Sequence, residues 1–562
     1  MKNILILISI FYSINLFADT TIVALNRVHH SFGNSGNNRV FIDTLQFPQD
    51  INSYSEITMN VNLECPNGGC DPWDRKAQIS IYNFNEWFEI GRYVTPYGVE
   101  CGWSFDVTDY RSLLKDNIIV RSYIDTWVEP GWLVSINFDF ISGVPEHPNV
   151  TVRKVWNYSN LVYGDDINPI NIPSYNGYIP NDVNNAYLRM VTTGHGQGNT
   201  DNAAEFSYKL HDIYINDSPT FVHNFWRSDC ESNDCSPQNG SWTYDRAGFC
   251  PGDKIYPVDF NLLETLIPGE EMKIDYILQE YYNACSPNNP ACVDGITCTE
   301  CNYNYNGHTE PFYFIESQLI FKTTNPHSNA DVLLKIVSQD TLNKTLDIYM
   351  ENYVPIYGIQ FRVNTLDQDN SILSGLSILN SSGGRAQNEN WIISTNDSGL
   401  VMGLSQYFGN YIPPGEGILT TLTYSNENIL QTFNRINLTD LQTSGYFGSN
   451  LTNEVGLPFD FELTLDIEER IIVPYKNALL SSYPNPFNPV VTIPFELYNN
   501  ELTRLSIFDV TGKEVYILID DKYRARGLHQ IQWNARTFPI GIYFVLINAG
   551  TFIETKKIIL MK

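Results

Sequence analysis

Positive charge is scarce in this chain: 34 lysines and arginines stand against 63 aspartates and glutamates, a formal net charge of -29. With little that is basic to draw phosphates in, a nucleic acid or an anionic membrane surface is excluded as a partner. Long apolar runs are lacking too, since nothing beyond the first 18 residues is long enough to span a bilayer. Amphipathic helical patterns are few. What fills the chain is short alternating runs between Gly and Pro turn signals, rich in aromatics, with 35 Tyr and 10 Trp. Over 562 residues this pattern predicts an all-β protein of several sandwich domains.

Residues 1-18 read as a secretory signal peptide: Lys2, an apolar stretch from Ile4 to Phe17, and a Leu-Phe-Ala end with cleavage expected after Ala18. An exported chain can keep disulfides, and the ten cysteines are an even count.

The densest chemistry lies in CPNGGCDPWDR, Cys65 to Arg75. A Cys65-Cys70 bridge would close a very small loop, worth only about 2 kcal/mol through chain entropy, so its value is positional. It would fix Asp71, Trp73, Asp74 and Arg75: carboxylates, a guanidinium and an indole. That set suits sugar chemistry, with an acid to act on a bond or a water, a cation to hold charge and a flat apolar face for a pyranose. The bland reading is a pinned hairpin carrying a surface ion pair. Further strand-like runs are FIDTLQF at 41-47, EITMNVNLEC at 56-65, AQISIYNF at 77-84 and NIIVRSYIDTWV at 117-128. In the last, alternation puts Tyr123, Asp125 and Trp127 on one face, and an acid in mid-strand needs a partner or a job.

These blocks carry a resemblance. CPNGGCDPWDR, EWFEIGRYVTPYG at 86-98 and FDVTDYRSLL at 105-114 resemble the N-terminal half of the peptide-N-glycosidase F family, bacterial amidases that remove asparagine-linked glycans. AYLRMVTTGHGQGN at 186-199, AAEFSYKLHDIYIND at 203-217 and YDRAGFCPGDKIYPVD at 244-259 resemble its C-terminal half. The resemblance implies two jelly-roll-type antiparallel β-sandwiches, at 19-145 and 146-324, with the active site at their interface and no cofactor. It implies catalytic roles for Asp74, Glu205 and Asp125, and substrate contacts from Arg75, Trp73, Trp127, Arg246 and His195. The expected reaction is hydrolysis of the amide between asparagine and N-acetylglucosamine in N-linked glycoproteins or glycopeptides. An amide is a poor electrophile, so such a site must activate water, stabilise an oxyanion and protonate a departing amine.

Two departures from the family pattern stand out. Asp125 replaces a glutamate, one methylene longer, and Ala203 and Ser207 replace the two cysteines that flank the glutamate at Glu205 in the family, so packing must hold that turn. Alternation over the Glu205 block would put Glu205 and His211 on one strand face, which offers His195, Glu205 and His211 as an alternative metal set. The adjacent His29 and His30 suggest a remote copper-monooxygenase alternative. A non-catalytic glycan binder or a surface adhesin on the same scaffold is a further reading.

Cys250 is expected to bond Cys230 or Cys235. Cys285, Cys292, Cys298 and Cys301 sit in an Asn- and Pro-rich insertion and read as loop disulfides, with Cys101 joining that group. Residues 329-466 resemble a cohesin-like β-sandwich with no acid/base constellation. Residues 478-562, with YPNPFNPVVTIPFEL at 483-497 and LSIFDVTGKEV at 505-515, resemble the sorting domain of type IX secretion. That implies the type IX machinery as a partner and a secreted or cell-surface location; a monomer is expected.

Overall fold

The computed structural model describes residues 20-34, 36-286, 288-289, 291-292, 301, 310-405, 407, 409-425, 435-461 and 476-561. The expected signal peptide and Cys298 lie outside them. The architecture is all-β, as the alternation predicts. Among the described residues the one α-helix is Gly384–Asn388.

The first sandwich faces a four-stranded sheet, in the order Thr20–His30, Trp132–Ser142, Tyr54–Glu64 and Cys101–Asp106, against a five-stranded one. The second sheet runs Asp253–Lys254, Glu86–Val94, Lys76–Asn83, Asn117–Ile124 and Val40–Gln46. Period-two burial makes the core. Trp132, Val134, Ile136, Phe138 and Phe140 point inward from one strand, and Ile118, Val120 and Ile124 from another. The strand Asn117–Ile124 stops before Asp125, so Asp125 and Trp127 lie in the loop beyond it rather than on a strand face.

The second sandwich places Asn149–Val162, Phe312–Thr323, Val183–His195 and Val258–Asn261 over Tyr175–Tyr178, Glu271–Ile277, His211–Ile215 and Ser218–His223. Phe312–Thr323 is buried along nearly its whole length instead of on alternate residues. Its second face is covered by the first sandwich: Tyr110 Oη donates to Gln318 Oε1 at 2.8 Å, and Gln318 Nε2 donates to the Glu89 carbonyl at 2.9 Å.

Three devices lock these sandwiches together. Asp253–Lys254, from the second half of the chain, pairs with Val94 and Tyr93 of the first sandwich. Arg189 reaches Asp109 at 2.9 Å and Asp259 at 2.6 Å. Most deeply, the buried Arg92 donates through Nε and Nη2 to Glu89 at 2.7 and 2.9 Å, and through Nη1 to the carbonyls of Phe314 and Val191 at 2.8 and 3.1 Å.

A third sandwich follows. Its sheets run Ile378–Ser382, Gly415–Tyr424, Thr345–Asn352, Val332–Asp340, Asn453–Val455, and Trp391–Thr395, Leu400–Ser405, Gly358–Leu366, Arg435–Ser444, Phe459–Asp460. It docks on the second sandwich through His327, whose ring nitrogens meet Glu351 at 2.8 Å and Asp182 at 2.7 Å. Chain contacts separate residues 464-562 as a unit of their own. That unit is a small sandwich of three- and four-stranded sheets around Trp533, Phe495, Ile507 and Val545.

Removing the Arg92 guanidinium leaves Glu89 buried without its cation. Arg92→Met is expected to lower stability by about 3 to 5 kcal/mol in urea unfolding, and a second change, Glu89→Leu, to recover much of that loss.

Candidate active site

The loop before strand Lys76–Asn83 is built around an acid at its base. The Cys65–Cys70 disulfide forms as expected, and Gly68 and Gly69 both take positive φ, 109° and 105°, inside the small ring it closes. Asp71 is wholly buried and accepts from Arg75 Nε at 2.7 Å, from Trp73 N at 2.9 Å and from Thr126 Oγ1 at 2.6 Å. Arg75 is therefore turned back onto Asp71 rather than out into the cleft. The pair is an internal brace, not the surface ion pair of the bland reading.

Asp74 emerges from this brace at the edge of the second sandwich, where Arg246 meets it. Arg246 Nη1 donates to Asp74 Oδ2 at 3.3 Å and to Glu205 Oε1 at 2.9 Å. Its Nη2 is held by the Ser241 carbonyl at 2.6 Å and by Tyr97 Oη at 3.5 Å. Only 1% of the Arg246 side chain is exposed, against 20% for Asp74 and 15% for Glu205, so the cation sits behind two carboxylates that both reach solvent. Residues 131 positions apart in sequence thus converge on one guanidinium nitrogen.

Burial raises the Asp74 pKa, while Arg246, Tyr97 and Arg75 pull it down. Burial likewise pushes Glu205 up to about 7, with Arg246 opposing and the Asp74 charge adding to the rise. Burial and Asp74 push the Tyr97 phenol up to about 12, so it stays a hydrogen-bond donor at neutral pH.

Glu205 lies in a turn, not on the strand expected from alternation. Its Oε2 accepts from Gly196 N at 3.0 Å, and its own carbonyl accepts from Ala247 N at 2.9 Å. The loop carrying Arg246 is stapled by Cys230–Cys250 and, across the two sandwiches, by Cys101–Cys235. The expected choice for Cys250 resolves to Cys230. Cys101 does not join the insertion cysteines, because its strand abuts the Arg246 loop; within the insertion Cys285 bonds Cys301.

The other expected residues fall around this centre. Trp73 and Trp127 are 57% and 53% exposed, each with indole surface open to solvent. Asp125 is anchored to the same loop, its N donating to the Lys76 carbonyl at 3.0 Å, and its carboxylate accepts from Tyr123 Oη at 2.8 Å. His195 is stacked between Phe249 and Phe312 and bonded to Thr193 Oγ1 at 2.8 Å; burial holds it neutral.

The metal alternatives do not assemble. His211 sits in the core of the second sandwich among Phe225, Tyr276 and Tyr313, its Nδ1 accepting from Gln279 N at 3.0 Å, away from Glu205. His30 is buried in the first sandwich between the Arg39 carbonyl and Ser122 Oγ, and His29 bonds the Pro130 carbonyl, so the pair offers no open ligand set. Among the described residues no group of three His, Cys, Asp or Glu could hold a metal ion.

Sequence reasoning missed Tyr97, the bracing role of Asp71, and Arg39, which lies against Asp125 at 3.5 Å. Tyr97 stood inside the quoted Thr-Pro-Tyr-Gly block, but nothing in its spacing pointed to Arg246.

Comparison with known proteins gives three family matches: peptide-N-glycosidase F, N terminal, over residues 81-140; peptide-N-glycosidase F, C terminal, over 167-293; and a secretion system C-terminal sorting domain over 481-561. The chain is 33% identical over 291 residues to peptide-N(4)-(N-acetyl-beta-D-glucosaminyl)asparagine amidase F of Elizabethkingia miricola, covering 48% of this chain and 81% of that protein. Among solved structures it is similar to PNGase F of Flavobacterium meningosepticum, a glycosylasparaginase, at 30% identity and a TM-score of 0.47, over 55% of this chain and 97% of that one. It is also similar to PNGF-II, at 17% identity and a TM-score of 0.43, over 54% and 66%. The sorting domain marks the protein for secretion or the cell surface, and no described helix is long and apolar enough to cross a membrane.

The Glu205 shift has a stability consequence. The unfolded chain gives up this proton near 4.5, the folded one near 7, so in between the folded state binds more protons and loses stability as pH rises. The buried neutral histidines His30, His195, His211 and His223 act in the opposite sense and equally in both proteins, so denaturation measured from pH 4.5 to 7 is expected to show the wild type losing stability relative to Glu205→Gln as pH rises.

Proposed function

Because the chain belongs to the peptide-N-glycosidase F family, we propose that its cleft hydrolyses the amide between asparagine and N-acetylglucosamine in N-linked glycoproteins or glycopeptides, leaving aspartate and a glycosylamine. The observation that supports this most is the single Arg246 nitrogen shared by Asp74 and Glu205. It holds two carboxyl groups with raised pKa values on one cation, with both carboxyl groups partly open to solvent.

In this reading water attacks the amide carbon, and as that C–O bond forms the carbonyl electrons move onto oxygen, where the positive charge of Arg246 behind the carboxylates stabilises them from a distance. The glycosyl nitrogen then leaves with the electrons of the broken C–N bond and takes a proton from the carboxyl group at the linkage. The proton lost by water returns to the carboxylate pair. Asp74 is assigned to the linkage, Glu205 to the water, and Asp125 to the first sugar. Two carboxyls on one cation can hold one proton between them, so donor and acceptor coexist near neutral pH. Trp73 and Trp127 offer stacking faces to the sugar rings. Arg75 acts on Asp74 by its charge and holds the loop through Asp71. As an exported protein, it would reach its substrates through the type IX secretion machinery and act on glycoproteins outside the cell.

Incubated with an N-glycosylated peptide, the purified protein is expected to release the glycan and leave a peptide heavier than its unglycosylated asparagine form by the difference between an amide and an acid, read by mass spectrometry. Asp74→Asn should lower kcat/KM roughly a thousandfold and Glu205→Gln roughly a hundredfold. Glycan bound without the mass gain would replace this reading with that of a glycan binder; neither binding nor gain would leave an adhesin.

A further inference from the structure

The loop that carries Asp125 and Trp127 is tied to the loop of Asp71 and Asp74 by Thr126, and it is shaped by a residue 86 positions before Asp125. Arg39 immediately precedes the edge strand Val40–Gln46, and its backbone is fixed: its carbonyl accepts from Ile124 N at 3.0 Å and lies 3.1 Å from His30 Nδ1. Its side chain then lies back along the loop. The guanidinium carbon stands 4.1 Å from the centre of the Trp127 ring and 4.9 Å from that of Phe32. Nη1 reaches Asp125 Oδ1 at 3.5 Å, and Nε donates to Asn37 Oδ1 at 2.9 Å. Phe32 closes the group, its ring 5.2 Å from Trp127 in an edge-on pose.

Two features give this arrangement consequence. Arg39 covers one face of the Trp127 indole, so only the other can stack on a sugar, while half of the side chain remains exposed to do so. Both contacts to Asp125, from Tyr123 and Arg39, fall on Oδ1, which leaves Oδ2 for a substrate. An aspartate here is one methylene shorter than the family's glutamate. A carboxylate on so short an arm can contribute only if something fixes where it points. A guanidinium that stacks on the indole and pairs with the acid fixes both at once.

We propose that Arg39 is the positioning residue that makes Asp125 and Trp127 a single rigid wall for the first N-acetylglucosamine, and so sets how tightly the glycan stem is held. This rests on the amidase reading of the same cleft, and it assigns Arg39 to substrate binding rather than to the chemical step.

Its test separates the two. In the full chain, Arg39→Ala is expected to raise KM for an N-glycopeptide about tenfold with kcat changed less than about threefold, and Arg39→Lys to restore at least part of the loss. The same loss should appear in the dissociation constant of the intact glycopeptide from the Asp74→Asn protein, read by calorimetry without turnover. Placed on the Asp125→Asn/Trp127→Ala double variant, Arg39→Ala should add less than about twofold, because both groups it positions are already gone. Arg39→Gln, which keeps a donor at the Nε position toward Asn37 but lacks the guanidinium beyond it, carries the same reading should the alanine variant not fold. An unchanged KM and dissociation constant, a loss confined to kcat, or a full tenfold effect on the Asp125→Asn/Trp127→Ala background would each overturn the proposal. A wild type that binds glycopeptide without cleaving it would sink the amidase reading and leave the dissociation constants to judge Arg39.

Discussion

Everything at the cleft depends on two sandwiches that cannot slide past each other, and the buried guanidinium of Arg92 is what prevents it. Its two ends answer to different bodies: Glu89 on its own strand neutralises it, and the carbonyls of Phe314 and Val191 on the second sandwich take the remaining protons. A shift of either sandwich would leave a buried charge with unmet hydrogen bonds, which is far more costly than losing a few apolar contacts. The strand Asp253–Lys254 and the Cys101–Cys235 bridge repeat the same constraint nearer the surface. With the sandwiches fixed, the loop bearing Arg246 has one place to lie, and there it finds Asp74. The site is thus organised before any ligand arrives.

The electrostatics at the cleft are arranged against the grain of the whole chain. In a protein of net charge -29, repulsion among acids would by itself favour moving Asp74 and Glu205 apart. They stay together because Arg246 is buried behind them and because a second cation, Arg75, next to Asp74 in the chain, is held in place by Asp71. Burial then raises both carboxyl pKa values, which is what a site needs if one group is to give a proton while the other takes it. The aromatic residues stand outside this pair, exposed, where a sugar can reach them.

Much of the fold was legible because period-two burial writes itself into sequence: the strands Tyr54–Glu64 and Asn117–Ile124 bury alternate residues along the runs quoted at 56-65 and 117-128. It failed at Phe312–Thr323, where both faces are covered and alternation vanishes, and at Asp125, where the strand ends one residue too soon for parity to apply. For the site, the acids and Arg246 were readable only through family motifs, since their convergence depends on packing between two bodies. Tyr97, Arg39 and the Cys101–Cys235 pairing needed that packing to be seen at all. His211 misled for a related reason: a turn, not a strand, separates it from Glu205, and its ring ends in the core.

The turn that holds Glu205 shows how a site can keep its geometry after losing its crosslink. Where the family has cysteines, this chain has Ala203, fully buried, and Ser207. Three other restraints act on the same few residues. The Ala204 carbonyl packs so closely on Gly194 that any side chain there would collide with it, which presses the turn against the strand Val183–His195. Ala247, next to Arg246, donates its N–H to the Glu205 carbonyl, so the acid and its cation are joined through the backbone as well as through charge. Tyr281 Oη donates to the Thr200 carbonyl at 2.7 Å, holding the start of the loop to the stretch that leads into the Cys285–Cys301 disulfide. A disulfide stabilises mainly by restricting the unfolded chain, and the geometry it would hold here is held instead by these contacts, which restrain the folded position of one carboxylate. For catalysis that position is the quantity that matters, so the loss of the cysteines is compatible with a working acid at position 205.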